Sequence, residues 1–131
     1  MKRHIRFSDS EQALLLLDQR YLPIQEKWFV CRNIQDVITA LERMVIRGAP
    51  AIGVTAAYGC CLGAATLDAS DSKWQKRLNE KLDRLSLARP TAVNLQYCVR
   101  RMREAWKADP DVRLDDLRWM WIKMARDIHS E

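Results

Sequence analysis

The sequence predicts an α+β domain that is mostly α, with an N-terminal β-hairpin followed by a bundle of about five helices. Three observations carry that expectation. Short runs of β-forming residues are confined to the first 31 residues, apolar residues at helical spacing fill the rest, and Pro50, Pro90 and Pro110 fall between the periodic segments. At 131 residues the chain has the length of one ordinary domain, 1–131, and can bury a real core.

Each element has its own local reason. Ala13 to Leu17 is an apolar run, Asp18-Gln19-Arg20-Tyr21-Leu22-Pro23 breaks it, and Lys27 to Cys31 is rich in β-formers, so two strands are expected with a turn near Pro23. Asn33 suits an N-cap with Asp36 three residues on. Ile34, Val37, Ile38, Leu41, Met44 and Val45 then share one helical face to about Ile46. From Gly48 to Leu67 no residue is charged. That length approaches the roughly 20 residues that span a bilayer, but it is rich in Gly, Ala, Thr and Cys, so a central helix wrapped by others is expected instead.

Ser70, Asp71 and Ser72 offer caps for a surface helix with Trp74, Leu78, Leu82 and Leu85 on one side, stopping near Leu87 ahead of Pro90. Thr91 is the expected N-cap of the next helix, whose Leu95, Cys98, Val99, Met102, Ala105 and Trp106 keep helical period until Asp109-Pro110. The last helix starts near Leu114, with Leu117, Trp121, Met124, Ala125 and Ile128 on one face and Trp119, Met120 and Ile122 spreading beyond it. So much apolar surface implies either a central position or cover by a partner domain or subunit, and self-association of the chain by itself.

Composition excludes several classes. Hydrophobic residues at 48% and charged residues at 30% describe a globular chain with no low-complexity stretch, and a net charge of +5 mildly favours anionic ligands. The cluster Arg100, Arg101, Arg103 alternates with Glu104 along a helix and reads as a solvated face, so no nucleic acid is expected. Cys31, Cys60, Cys61 and Cys98 lack metal-ligand spacing, and no metal or other cofactor is expected. Cys60, Cys61 and Cys98 fall on apolar helix faces and read as core residues rather than nucleophiles. Met1 to Arg6 has a basic start without the apolar run of a leader, so the expected home is the reducing cytoplasm, with no membrane partner.

The chemistry concentrates in two punctuated segments. Arg47-Gly48-Ala49-Pro50 is a loop feeding the uncharged helix: Pro50 fits the first helical position, Gly48 permits a conformation or a close approach that a side chain forbids, and Arg47 stands beside them. Free N–H groups, a positive helix end and a guanidinium are what hold a phosphate or carboxylate. The plainer alternative is a close-packed core helix preceded by a surface charge. Ala88-Arg89-Pro90-Thr91 brings a second arginine to the start of another helix, and the two forks suit one phosphate between them.

The segments Val45 to Gly59 and Ala88 to Leu95, together with Leu17-Asp18-Gln19 and Leu22-Pro23, resemble in order and spacing the N-terminal domain of the methylthioribose-1-phosphate isomerase family. Its superfamily also holds ribose-1,5-bisphosphate isomerase and the regulatory subunits of the eukaryotic initiation factor 2B exchanger. The likeness covers essentially all 131 residues. It implies substrate-phosphate binding by Arg47, Gly48, Ala49 and Arg89, in an aldose–ketose isomerase of methionine salvage. It also implies a larger Rossmann-like C-terminal domain, and a homodimer for the whole enzyme. The family's catalytic cysteine and aspartate belong to that larger domain, beyond residue 131, so no catalytic residue is expected here and the chain alone is expected to be inactive. The alternative is a regulatory or assembly module of the initiation factor 2B-like branch.

Overall fold

The computed structural model describes residues 4–131. Strand β2 (Ala13–Leu17) pairs antiparallel with β3 (Trp28–Cys31), from Leu14 opposite Cys31 to Leu17 opposite Trp28, as the two runs predict. The hairpin is, however, part of a three-stranded sheet. Strand β1 (Ile5–Ser8) pairs antiparallel with the other edge of β2, in the order β1-β2-β3. The turn between β1 and β2 places Gln12 at φ 50, a left-handed conformation that glycine or asparagine usually takes, although Ser8, Asp9 and Ser10 just before it are ordinary turn residues. Being central, β2 is apolar throughout.

Helix α1 (Ile34–Glu42) opens as expected, the Asn33 carboxamide oxygen accepting the Asp36 N–H at 2.8 Å. It ends four residues earlier than the apolar spacing suggests. Met44 turns at φ 60 and the Val45 N–H reaches back to the Ala40 carbonyl at 2.9 Å, leaving Val45 and Ile46 as buried anchors of a loop rather than a last helical turn. Helices α2 (Ala49–Ala65), α3 (Trp74–Ser86), α4 (Val93–Lys107) and α5 (Leu114–Ser130) follow. Two caps differ from expectation. Asp71 accepts the Lys73 N–H but Lys73 is the N-cap of α3, and Ala92, not Thr91, is the N-cap of α4.

Helix α2 is the centre of the domain. It touches every other helix and strands β1 and β2, and every residue from Ala51 to Leu62, then Gly63 and Ala64, is buried. A helix that is apolar on all sides has nowhere else to go. Its small residues set the spacing: a Cβ added at Gly59 would meet Val37 Cγ1 at 2.9 Å and Leu85 Cδ2 at 3.3 Å, so α1 and α3 lie against the backbone itself. Along α5, Trp121 is fully buried and its indole N–H donates to the Met102 carbonyl at 2.9 Å, which ties α5 to α4. Met120 and Ile122 are half-buried at the core edge, whereas Trp119 is 76% exposed.

The far end of α2 is capped from α5. Arg118 donates from Nε to the Ala64 carbonyl at 3.0 Å and from Nη2 to the Leu67 carbonyl at 2.6 Å, while Nη1 pairs with Asp115. A cation there answers both the orphan carbonyls and the negative helix end.

The Gly59 contact predicts a stability effect. Gly59→Ala gains up to ~1 kcal/mol of helix propensity but overpacks against the stiff, β-branched Val37, which costs about 1–3 kcal/mol. A net loss should appear as a lower midpoint in urea unfolding, and Val37→Ala in the same background should recover part of it.

Candidate functional site

Two interhelical loops converge at one end of the bundle. The first runs from Arg43 to Gly48. Val45 is held from the other side as well, its carbonyl accepting the Gln19 N–H at 2.8 Å. Gln19 belongs to a short 3-10 turn, Gln19–Tyr21, that buried Asp18 organises by accepting the Arg20 N–H at 3.0 Å and the Arg20 guanidinium at 2.9 and 2.7 Å. The anchored loop leaves Arg47, Gly48, Ala49 and Pro50 exposed.

Gly48 is the N-cap of α2, at φ 96 and ψ 135, so it does need the freedom of glycine. Pro50 is the second helical residue rather than the first. The first helical bond is that of the Ile52 N–H to the Gly48 carbonyl at 3.0 Å, so the amides of Ala49 and Ala51 precede the hydrogen-bonded ladder. The first turn of α2 holds no acidic residue. Its positive end faces outwards beside Arg47.

The second loop joins α3 to α4. Gln96, on the first turns of α4, donates to the Ser86 carbonyl at 2.8 Å and to the Arg89 carbonyl at 3.3 Å, and the Ala92 N–H closes a turn on that same Arg89 carbonyl at 2.9 Å. Because of this turn Arg89 lies three residues before the N-cap, not directly at the helix start as Arg47 nearly does. Its side chain nevertheless crosses to the first loop, where Nη1 donates to the Ile46 carbonyl at 3.4 Å. The structure thus brings Arg89 to the residue preceding Arg47.

Helices α2 and α4 start at this same end. A Cβ at Gly53 would lie 2.9 Å from Cys98 Sγ and 3.6 Å from the Asn94 carbonyl oxygen, which places the first turns of the two helices side by side. Sequence reasoning did not single out Gln96 or Asn94. Both follow a predicted helix start and carry no pattern of their own, and Gln96 acts through carbonyls up to ten residues away.

The cysteines give no nucleophile. All four are buried; burial pushes the Cys31 thiol up to about 12 and raises Cys60, Cys61 and Cys98 as well, so they stay protonated at neutral pH. Among the described residues no group of three or more His, Cys, Asp or Glu could hold a metal, and no helix is long and apolar enough to cross a membrane.

A small antiparallel sheet leading into five helices, with two arginine-bearing loops at one end, defines the class of domain. The chain belongs to the initiation factor 2 subunit family, whose profile matches residues 45–131. It is 51% identical over its whole length to the methylthioribose-1-phosphate isomerase of Maridesulfovibrio salexigens and 52% identical to that of Oleidesulfovibrio alaskensis, covering 38% of each. It therefore spans little more than a third of those relatives. Among solved structures it is similar to the 5-methylthioribose 1-phosphate isomerase of Pyrococcus horikoshii (TM-score 0.88, 27% identity, 95% of this chain and 35% of that one). It is also similar to the delta subunit of translation initiation factor eIF-2B from A. fulgidus (TM-score 0.84, 29% identity, 95% and 36%).

The Asp18 turn yields a pH prediction. The Arg20 hydrogen bonds hold the Asp18 carboxyl below its ordinary 3.8 despite burial. A carboxyl depressed on folding contributes stability above its unfolded pKa, and that contribution is lost as the pH falls through the folded value. Wild type should lose stability in acid below 3.8, and Asp18→Asn, already weaker at neutral pH, should lose less over the same range. Unfolding midpoints measured from neutral to acid pH check this.

Proposed function

We propose that this chain is the substrate-phosphate-binding N-terminal part of an aldose–ketose isomerase that converts methylthioribose-1-phosphate to methylthioribulose-1-phosphate in the cytoplasm. The observation that carries it is the Arg89 side chain reaching the Ile46 carbonyl, which sets one guanidinium beside the loop of the other at the uncapped positive end of α2. In this reading Arg47 and Arg89 grip the phosphate oxygens, while Gly48 and Ala49 let the sugar phosphate approach the backbone amides.

Moving a proton or hydride between neighbouring sugar carbons requires an acid–base group and a water-poor site. Anchoring the phosphate supplies orientation, so that binding energy is spent on aligning the reacting carbons. The acid–base chemistry comes in this reading from a larger C-terminal domain, which the relatives' greater length accommodates. The chain alone is then a binding element without turnover, and the whole enzyme a homodimer.

A second reading is favoured by the likeness to the initiation factor subunit: a regulatory or assembly module that keeps the fold without the substrate. Calorimetric titration with methylthioribose-1-phosphate separates the two. Wild type should bind, more weakly at high salt. Arg47→Ala and Arg89→Ala should each weaken binding about tenfold to a hundredfold, since each removes a charged hydrogen bond of ~1.5–3 kcal/mol. Unchanged affinity in the double variant, or no binding by wild type, would favour the regulatory module.

A further inference from the structure

The outward side of α5 carries an apolar groove. Trp119 is 76% exposed, and beside it Met120 and Ile122 reach the surface half-buried. Together with Lys123 and Arg126 they line a shallow depression of about 650 Å³. One exposed aromatic residue needs no explanation, but a tryptophan at the edge of an apolar groove is the form that a contact surface takes.

Charge along this helix is ordered. Asp116, Trp119, Lys123 and Arg126 are spaced by three, four and three residues, so they form one stripe of the kind that seams two helices together. The stripe begins acidic and ends basic. Its charges are not consumed within the chain: among the described residues Asp116 and Lys123 form no ion pair, although Asp127 lies one turn beyond Lys123. Arg126 pairs with Asp9 at 2.8 Å, but both side chains are about half exposed, so that pair is weak and easily exchanged.

We infer that this stripe is the contact surface for a second copy of the chain, joined by two-fold symmetry with the two α5 helices antiparallel. When Trp119 lies against Lys123 of the second copy, Asp116 lies against its Arg126, and symmetry repeats each contact. Parallel helices would instead set Asp116 on Asp116 and Lys123 on Lys123. The stripe calls for a partner with the same charges in the reverse order, and the antiparallel copy of the same helix supplies it. The contact belongs to this domain alone, uses none of the residues of the proposed phosphate site and holds whichever ligand that site takes. Confined to one 17-residue helix from each copy, it falls short of the roughly 1,200 Å² of standard interfaces, so the dimer dissociates in about the micromolar range.

Sedimentation of the 131-residue chain at low salt, over concentrations of about 1–500 μM, tests this. Wild type should pass from monomer to dimer across that range, and Trp119→Ala, at an exposed site where folding is not at stake, should weaken the dimer at least about tenfold. Asp116→Arg and Arg126→Asp each set like charges against each other, so either variant alone should stay monomeric. Mixed in equal amounts they should form a heterodimer of about wild-type strength, because each reversed charge then faces its opposite. A wild type that stays monomeric throughout would overturn the pairing and leave the stripe to another protein or to a further part of a longer chain. A wild-type dimer unmoved by Trp119→Ala, charge variants that dimerise as wild type does, or a mixture no more associated than either variant alone would put the contact elsewhere and overturn it too.

Discussion

The complete burial of α2 is the constraint on which the rest of the structure depends. A helix of small, uncharged residues has no polar face to show to water, so four helices and two strands must cover it, and they can come close because glycines at 53, 59 and 63 remove the side chains that would hold them off. Burial of the barrel leaves only the two ends to be answered. Arg118 takes the carbonyl end from the antiparallel α5, while the amide end opens at Gly48 with neither a side-chain cap nor an acidic neighbour. That asymmetry directs a positive helix end, already desolvated along its flanks, towards whatever approaches the loop.

The proposed site depends on the same packing at one remove. Arg47 sits on a loop whose position is set by two buried residues, Val45 and Ile46, and by the bond from the Asp18 turn to Val45. Arg89 sits on a loop braced by Gln96. Neither loop carries its own rigidity; each borrows it from an adjoining helix or strand. A phosphate that draws the two guanidiniums together meets loops already placed, so less ordering entropy opposes its binding.

How much of this was legible in the sequence follows from how local each signal is. The Asn33 cap, strands β2 and β3 and the periods of α4 and α5 depend on residues a few positions apart, and they read correctly. Strand β1 did not, because Ile5 to Ser8 is short, begins beside a basic terminus and is joined to β2 by a turn with Gln12 in a glycine-like conformation. The end of α1 was overrun because Met44 and Val45 keep helical spacing, whereas Met44 turns left-handed, the Val45 N–H closes locally on the Ala40 carbonyl and the Val45 carbonyl is taken from afar by the Gln19 N–H. Thr91 looked a better cap than Ala92, yet the turn closed on the Arg89 carbonyl fixes the start one residue later. At the candidate site the identities of Arg47, Gly48, Ala49 and Arg89 came from two motifs, whereas the approach of Arg89 to Ile46 spans 43 residues and has no local trace.

The fold by itself cannot choose between an isomerase and a regulatory subunit, since it is similar to solved examples of both. The choice rests on what a ligand-free module would retain. Packing accounts for Gly53, Gly59 and Gly63, and capping accounts for Arg118, but neither accounts for Gly48 at φ 96 followed by exposed Ala49 and Pro50, nor for a half-buried arginine spent on one long bond to a loop carbonyl. A positive φ costs nothing at glycine, so the loop is not strained, and it leaves the start of α2 without a side-chain cap next to exposed Arg47. An assembly surface could be built from apolar residues such as Trp119 without that arrangement, whereas a phosphate site could not. That arrangement supports the sugar-phosphate reading proposed above over a module without a ligand.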